Sequence, residues 1–152
     1  MNDEQARFTI GAFAFIFDDA GRVLLCHRRD FDLWNPPGGK VEVHESPWDT
    51  VVREVKEEVG VSVAIERLFG IYFKPEHQDI VFAFICRITD GTLAVSNEVD
   101  EFTYFDVAKL PKNLSPRNVE RIYDALLEKE DLIVKKQLGP SSVELLRRGM
   151  LQ

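Results

Sequence analysis

The sequence predicts an α+β fold in which helices pack on a mixed β-sheet. Residues 8–17 and 80–88 are apolar on both faces, which is typical of central strands that are covered on two sides. Residues 46–60 and 115–129 instead combine helix-start residues with apolar residues at helical spacing. The chain of 152 residues has about the length of one domain and contains no low-complexity linker, so residues 1–152 are predicted to form a single domain.

Turn residues divide the first part of the chain. Residues 18–21, DDAG, are predicted to form a turn, so that the strand at 8–17 and a second strand at 22–27 make a hairpin. The run WNPPGG at 34–39 cannot be a regular central strand, because proline has no backbone N–H to donate. Its two glycines allow the backbone to lie close to a ligand or an ion.

The segment 46–60 carries the local signals of a helix. Ser46 is a good N-cap, Pro47 suits the first helical position, and Gly60 is expected in the left-handed conformation at the C-terminal end. The apolar stripe of this helix consists of Trp48, Val51, Val52, Val55 and Val59. It is predicted to pack on the core, which must hold the helix together because valine is a poor helix former.

Strand-like runs alternate with turns in the second half of the chain. We expect strands at 61–65 and 67–73, or one long bent strand over both, followed by a loop at 74–79. After the second central strand, a short strand is predicted at 102–105.

A second helix is predicted at roughly 116–129, with Ser115 as its N-cap and Pro116 at its first position. Its apolar stripe consists of Val119, Ile122, Tyr123, Leu126 and Leu127. Beyond it, residues 132–138 are predicted to add a strand and residues 141–148 to form a short helix.

Composition and charge argue against several classes of protein. The net charge of −7 argues against a general nucleic-acid-binding protein, although a cation can reverse the local field for a nucleotide substrate. No apolar run approaches the ~20 residues of a membrane span, and the start of the chain lacks the pattern of a signal peptide. Cys26 and Cys86 lie in strand-like runs, so we expect buried free thiols in the cytoplasm rather than a disulfide or a metal pair.

Acidic residues cluster on the first helix and in the loop before it. Glu54 and Glu58 are four residues apart, and like charges at this spacing are mildly unfavourable in a helix unless a cation lies between them. Glu57 and the loop residue Glu45 add two further carboxylates. The pattern therefore predicts a loop and helix that hold a divalent metal ion against phosphate.

The stretch 39–61 resembles the signature of the Nudix hydrolases, G-x5-E-x7-R-E-U-x-E-E-x-G-U, in which U is apolar. Every fixed position matches: Gly39, Glu45, Arg53, Glu54, Val55, Glu57, Glu58, Gly60 and Val61. The run at 34–39 is similar to the family's W-x-x-P-G-G approach, and 98–111 is similar to its downstream acidic and aromatic stretch. The resemblance covers about residues 8–129 and leaves a C-terminal extension at 130–152.

The resemblance implies a Nudix fold, an α/β/α sandwich, and metal-dependent hydrolysis of a nucleoside diphosphate linked to another group. The expected cofactor is Mg²⁺ or Mn²⁺, because a densely charged pyrophosphate needs cations between itself and acidic side chains. By analogy with the family, the metal ligands are expected to be Glu54, Glu57, Glu58 and the carbonyl of Gly39.

Supporting and catalytic roles follow from the same resemblance. Arg53 and Glu45 are expected to hold the loop against the helix. The general base stays open, and its candidates are Glu54, Glu57, Glu98 and Glu101. Of the two downstream acids we favour Glu98, as base or as metal ligand.

Other polar and aromatic residues are assigned by the chemistry of their side chains. Arg28, Lys40 and the backbone of Gly38 are expected to contact substrate phosphates. The residues expected to face solvent are Arg29, His44, Lys74 and His77. Stacking on a base and packing in the core are both open for Phe31, Trp34 and Tyr72.

The substrate stays open between a nucleoside triphosphate and an ADP-ribose-like compound. A homodimer is plausible for the family, with the strand at 132–138 as its edge. Two other functions are compatible with the fold, a nucleotide-ligand sensor without turnover and a prenyl diphosphate isomerase. The complete set of signature acids argues against the sensor, and the absence of a matching reactive-cysteine motif argues against the isomerase.

Overall fold

A computed structural model of the chain describes residues 5–127 and 130–151. Eight strands lie within those ranges: β1 (Thr9–Ile16), β2 (Val23–Arg28), β3 (Trp34–Asn35), β4 (Gly38–Lys40), β5 (Ser62–Lys74), β6 (Asp79–Asp90), β7 (Val99–Phe105) and β8 (Ile133–Lys136). The helices there are α1 (Pro47–Val59), α2 (Pro116–Ala125) and α3 (Ser142–Arg147), and a single 3₁₀ turn covers Pro75–His77.

The strands form two sheets. The larger sheet has the order β4-β1-β6-β5-β8 and is mixed, because β1 runs parallel to β6 and β5 runs parallel to β8 while the other pairs are antiparallel. The smaller sheet has the order β3-β2-β7 and is antiparallel. The predicted α+β class with a mixed sheet is therefore confirmed.

Two apolar clusters lie on opposite faces of β1. Ala12, Ala14 and Ile16 pack with the buried valines of α1, whereas Phe15 packs with Ile122 of α2. Side chains of a strand alternate between its two faces, so α1 and α2 cover opposite faces of the sheet. This arrangement is the predicted sandwich, and it explains why β1 is apolar on both faces.

The predicted hairpin of the first two strands is wrong. The turn at 18–21 forms, with the N–H of Gly21 donating to the carbonyl of Asp18 at 2.9 Å. However, β1 and β2 belong to different sheets and share only an isolated bridge between Phe17 and Val23 among the residues described. Each strand already has a neighbour on both edges, which leaves no free edge for them to pair along their length.

The predictions for the glycine-rich run and for the long strand are confirmed. The run at 34–39 supplies β3 and β4, which are edge strands of two and three residues, and no regular central strand. The segments 61–65 and 67–73 form one strand, β5, whose register shifts three times against β6. Such irregularities bend a strand, as the sequence suggested.

Helix α1 begins and ends where the sequence predicts. The side chain of Ser46 accepts a hydrogen bond from the N–H of Asp49, and Gly60 has φ of 78°. Three of the five stripe residues, Val51, Val55 and Val59, are fully buried. The other two were wrongly assigned to the core: the exposed fractions are 58% for Trp48 and 39% for Val52, because they lie on the edge of the helix that faces away from the sheet.

Helix α2 is shorter than predicted and buries a different face. It ends at Ala125, and positions 128 and 129 of the prediction lie outside the described residues. Ile122 is buried and Val119 packs on the core, but Tyr123, Leu126 and Leu127 are exposed. Polar residues take their place in the interior: Arg117, Asn118, Arg121 and Asp124.

The C-terminal strand and helix form as predicted. β8 lies parallel to β5 at the edge of the larger sheet, and Ser141 caps α3 through a capping box with Glu144. Leu145 and Leu151 pack with Leu33, so the extension contacts the rest of the chain.

Two further expectations concern the burial of the cysteines and the presence of membrane-spanning helices. Cys26 and Cys86 are buried free cysteines, as predicted. Among the residues that the structure describes, no helix is both long enough and apolar enough to span a membrane.

Candidate active site

A cleft of about 530 Å³ opens where β4, α1 and the start of β7 meet. Seven of the residues predicted from the sequence line it: Arg28, Gly38, Gly39, Lys40, Glu54, Glu58 and Glu98. Residues from four separate stretches of the chain therefore converge on one site.

Three carboxylates lie together in this cleft. Oxygen atoms of Glu54, Glu58 and Glu98 are all within 4.8 Å of one another. Glu54 and Glu58 are one helical turn apart on α1, and Glu98 directly precedes β7. Glu58 is 9% exposed, Glu54 is partly buried, and Glu98 is open to solvent.

Burial and mutual repulsion disfavour the charged forms of this cluster. Burial, followed by the neighbouring charge of Glu54, raises the pKa of Glu58 to about 9, although the N–H of Gly38 donates to Glu58 and opposes the shift. Burial also raises the pKa of Glu54. The possible ligand atoms are all carboxylate oxygens, and a cation between them would offset their mutual repulsion. The cluster therefore fits a hard divalent cation such as Mg²⁺ or Mn²⁺.

Arg53 holds the acidic loop against α1, as the resemblance implied. Its guanidinium donates to Glu45 at 2.7 and 2.9 Å and to Glu54 at 3.1 Å, and it reaches the carbonyl of Lys40 at 3.3 Å. Hydrogen bonds from Arg53 and Thr50 lower the pKa of Glu45 to about 2. Glu45 is thus charged and fixes the position of Arg53, and Arg53 in turn orients Glu54.

Two candidate acids lie apart from the three-carboxylate cluster. Glu57 is 53% exposed at its side chain and pairs with Arg53 at 3.1 Å. Glu101 is exposed on β7, opposite His27 on β2. Of the two downstream acids, the structure therefore brings Glu98 to the cluster and leaves Glu101 outside it.

The two glycines of the cleft leave no room for a side chain. A Cβ atom on Gly38 would lie 2.3 Å from the carbonyl oxygen of Ala12, and the φ of Gly38 is 154°. A Cβ atom on Gly39 would lie 2.5 Å from a carboxylate oxygen of Glu54. Gly38 must be glycine because a Cβ atom would meet backbone, whereas a Cβ atom on Gly39 would displace the carboxylate end of Glu54 from its place.

The cations predicted to contact phosphate lie at the cleft. Arg28 lines it and forms a bidentate pair with Asp30 at 2.6 and 2.7 Å, while its guanidinium lies 4.9 Å from the ring centroid of Phe31. Lys40 is exposed at the cleft wall. Trp34 and Tyr72 belong to the core instead of stacking on a ligand, since they are 9% and 0% exposed.

The predictions of solvent-facing residues hold in part. Arg29 and His44 are exposed. Lys74 was wrongly placed in solvent: its side chain is 18% exposed and pairs with Asp79 at 3.0 Å. His77 is also half-buried, with its Nε2 atom 3.7 Å from Glu144.

Sequence reasoning missed a second, basic pocket of about 230 Å³ beside the cleft. It is lined by Lys74 and by Arg117, Asn118 and Arg121 of α2, among others. One signal was present in the sequence. Arg117 and Arg121 are four residues apart and share a helix face with Asn118 and Asp124. This spacing could have indicated that the polar face of α2, and not only its apolar stripe, is buried.

Comparison with known proteins identifies the family. The NUDIX domain model matches residues 7–126. The chain therefore belongs to the NUDIX domain family, and it is a Nudix hydrolase. The predicted family, fold and class of enzyme, a pyrophosphohydrolase, are confirmed at this level.

Relatives cover most of the chain. A putative 8-oxo-dGTP diphosphatase of Bacillus subtilis is 31% identical over 146 residues, which are 94% of this chain and 98% of the relative. An ADP-ribose pyrophosphatase of Methanocaldococcus jannaschii is 32% identical over 108 residues, 64% of this chain and 62% of the relative. Among solved structures, an ADP-ribose pyrophosphatase of Streptococcus suis has a TM-score of 0.70 at 27% identity and covers 85% of this chain and 98% of its own.

Proposed function

We propose that this Nudix hydrolase uses Mg²⁺ or Mn²⁺ to hydrolyse the pyrophosphate bond of a nucleoside diphosphate linked to another group. The observation that carries the proposal is the cluster of Glu54, Glu58 and Glu98, whose oxygens lie within 4.8 Å of one another. The relatives named as diphosphatase and pyrophosphatases support the same reaction class.

The three carboxylates are the proposed ligands of the cation, together with the carbonyl of Gly39. When bound, the cation would neutralise phosphate oxygens and favour the ionisation of an attacking water molecule. Glu58 is the most buried of the three, whereas Glu54 is oriented by the 3.1 Å hydrogen bond from Arg53. The Arg53–Glu45 pair is a positioning device that sets the distance between the loop and α1.

Glu98 is the proposed acceptor of the proton from water. It is the most exposed of the three acids, so it can contact water at the mouth of the cleft and pass the proton to solvent. Glu57 was predicted as a further ligand, and it lies next to the cluster in sequence but pairs with Arg53 in space.

Arg28, Lys40 and the backbone of Gly38, whose N–H donates to Glu58, are proposed to lie beside the substrate phosphates. Arg28 and Lys40 line the cleft and supply positive charge opposite the acidic cluster. Two substrate classes are supported by the names of the relatives, an oxidised nucleoside triphosphate and ADP-ribose.

A substrate panel tests this proposal. It holds nucleoside triphosphates, 8-oxo-dGTP, ADP-ribose, NADH, dinucleoside polyphosphates and nucleotide sugars, each with Mg²⁺ and with Mn²⁺. We expect turnover of one class, release of a nucleoside monophosphate, and loss of turnover in Glu58→Gln. Ligand binding without any product, by folded protein with metal present, would instead support a sensor and contradict the proposal.

Three proposals concern the protein as a whole. Residues 1–152 form one domain, which the packing of Leu145 and Leu151 on Leu33 supports.

The free cysteines support a cytoplasmic location, which fractionation of cells expressing the tagged protein would test. The edge strand β8, with Val134 69% exposed, supports a homodimer, and a monomeric mass in solution would exclude it.

A further inference from the structure

Four of the eleven residues that line the basic pocket beside the active-site cleft are cations, and two of these four are buried. Its cavity of about 230 Å³ lies between the ends of β2 and β5, helix α2 and the start of α3. Lys74, Arg117 and Arg121 line it, and Arg28 lies on the boundary that it shares with the acidic cleft. Arg121 and Arg117 are 4% and 8% exposed.

Both arginines keep a donor without a partner. Arg121 uses its Nε atom on Gln137 and its Nη1 atom on Asn118, each at 3.0 Å, but its Nη2 atom has no hydrogen-bond partner in the described part of the chain. Arg117 donates to the carbonyl of Gly139, and its Nε atom is also without a partner among the described residues. A buried donor of a charged group that is left unpaired is costly, which indicates that something outside the chain completes these bonds.

Carboxylates pair with three of the four cations of the pocket, and Glu144 and Glu120 add negative charge near Arg117 and Arg121. Asp79 pairs with Lys74 at 3.0 Å, and Glu76, which is half-exposed, lies 3.7 Å from Arg117. Asp30 is engaged by Arg28. Arg121 has no ion pair of 4.0 Å or less among the residues that the structure describes, and the ring of Tyr72 lies 5.3 Å from its guanidinium.

Burial is the largest cause that lowers the pKa values of these cations, and repulsion between them adds to it. Burial lowers the pKa of Arg121 to about 10, and the charge of Arg117 contributes to the shift. Burial, and the charges of Arg121 and Arg117, likewise lower the pKa of Lys74. An anion between these groups would relieve the repulsion and pair the free donors.

We propose that this pocket binds a phosphate group, and that the group is a second phosphate of the substrate, distal to the bond that is hydrolysed. The argument for the substrate as the source is continuity: the pocket shares Phe13, Arg28 and Asn35 with the acidic cleft. A substrate held in the cleft can therefore extend into the pocket. This second part rests on the proposed function, whereas phosphate binding by the pocket does not.

Inorganic phosphate in EDTA tests the pocket without catalysis. Without metal the acidic cleft repels phosphate, so binding measured by isothermal titration calorimetry reports the basic pocket. We expect the dissociation constant to rise about tenfold or more in Arg121→Gln and in Lys74→Gln, the loss of roughly one hydrogen bond to a charged group. Arg121→Lys should retain part of the affinity.

Arg87→Gln is the matched control, because Arg87 is a cation on β6 that is 63% exposed and does not line the pocket. Circular dichroism shows whether each variant is folded, and Lys74→Gln removes the charge at a site that is partly exposed in case Arg121→Gln does not fold. No phosphate binding, or equal weakening in Arg87→Gln, would overturn the pocket as a phosphate site.

Matched substrates identify the source of the phosphate. ADP-ribose is compared with 2′-phospho-ADP-ribose, and GDP with guanosine 5′-diphosphate 3′-diphosphate, by kcat/KM with Mg²⁺. We expect at least one phosphorylated member to be preferred about tenfold or more, and the ratio to fall toward one in Arg121→Gln, mainly through KM. Phosphate binding without any such preference would overturn the substrate as its source and leave a free anion.

Failure of the proposed function gives a different result. Absence of turnover for every compound would contradict the pyrophosphohydrolase, yet metal-free phosphate binding and its loss in Arg121→Gln would remain measurable.

Discussion

A single buried carboxylate, Glu58, determines much of the chemistry of the cleft. It lies 9% exposed on α1 beside Glu54 and Glu98, and it accepts a hydrogen bond from the N–H of Gly38. A charged carboxylate in such a place is stable only with a cation or a proton. Glu57, its neighbour in the chain, points to Arg53 and solvent instead.

Glu58→Gln and Glu57→Gln form a matched pair that separates these environments. We expect kcat/KM to fall roughly 100-fold or more in Glu58→Gln, because a buried ligand is lost. Glu57→Gln should lose less, since the variant removes an exposed ion pair. Steady-state kinetics and Mg²⁺ titration on both variants check the ranking, and a larger loss in Glu57→Gln would assign the cation to Glu57 and contradict the three-carboxylate site.

The raised pKa of Glu58 predicts how stability without metal depends on pH. The pKa is near 4.5 in the unfolded chain and about 9 in the fold, so the folded state binds the proton more tightly. The stabilising effect is therefore complete below pH 4.5 and is lost progressively as the pH rises to 9. Urea titrations in EDTA should show this decline, and Mg²⁺ should stabilise the protein most at the alkaline end of the range.

Glu58→Gln is the control for this slope, because glutamine cannot ionise. The decline that belongs to Glu58 should disappear in the variant, together with the stabilisation by Mg²⁺. A slope that is unchanged in Glu58→Gln would show that another group titrates.

At the scale of residues, the sequence predicted which residues belong to the site better than it predicted the orientation of their side chains. The resemblance placed Arg53 with Glu45 and brought Gly39 to the acidic helix, and these contacts are present. It could not separate Glu57 from Glu58, because adjacent residues on a helix point about 100° apart and only the position of the sheet decides which is buried.

Helix α1 shows how local signals and tertiary packing contribute differently to an element. Its caps, Ser46 and Gly60, are local interactions, and the sequence placed both correctly. Its core face depends on what covers it. Val55 is fully buried against the sheet, while Trp48, the largest apolar residue of the stripe, is 58% exposed.

Val55→Ala and Trp48→Ala test which face holds the helix. Val55→Ala should lower the free energy of unfolding by about 2 kcal/mol, because two buried methyl groups are removed and a cavity remains. Trp48→Ala should change it by less than about 1 kcal/mol despite the larger deletion. Urea titrations of both variants give the comparison, and the reverse order would mean that Trp48 is covered in solution.

The errors in the predicted hairpin and in α2 have a common origin. The turn at 18–21 is local and forms, but whether the strands on either side of it pair depends on neighbours that are distant in sequence. In α2, Ile122 lies on the buried face as predicted. Arg117 and Arg121 are also buried, because they line the basic pocket and because Gln137 bonds to the Arg121 side chain and to the Arg117 carbonyl. Hydrophobic periodicity does not detect a buried polar face.

At the scale of the whole molecule, two sites of opposite charge lie side by side. The acidic cleft depends on α1 and β4, and the basic pocket depends on α2 and on the extension that follows it. A substrate with phosphates at both ends would be held by a cation at one site and by protein cations at the other. The net charge of −7 does not indicate a basic pocket, because the fold brings together cations that are distant in the sequence.

Within the C-terminal extension, the buried side chain of Gln137 contacts helix α2 of the basic pocket. This residue is 4% exposed; its Oε1 atom accepts from Arg121, and its Nε2 atom donates to the carbonyl of Arg117 and to Glu120. Gln137→Ala should lower the free energy of unfolding by about 1–3 kcal/mol, because the partners stay buried and unpaired. Lys136→Ala is the matched control at an exposed neighbouring position.

If the extension and the core form one cooperative unit, as proposed, both variants should unfold in one transition when followed by circular dichroism and by tryptophan fluorescence. Phosphate binding in EDTA should weaken in Gln137→Ala as well, since Arg121 loses the group that orients its guanidinium. If Gln137→Ala leaves the free energy of unfolding unchanged, or if the two probes report separate transitions, the extension is an independent unit and the assignment of one domain is wrong.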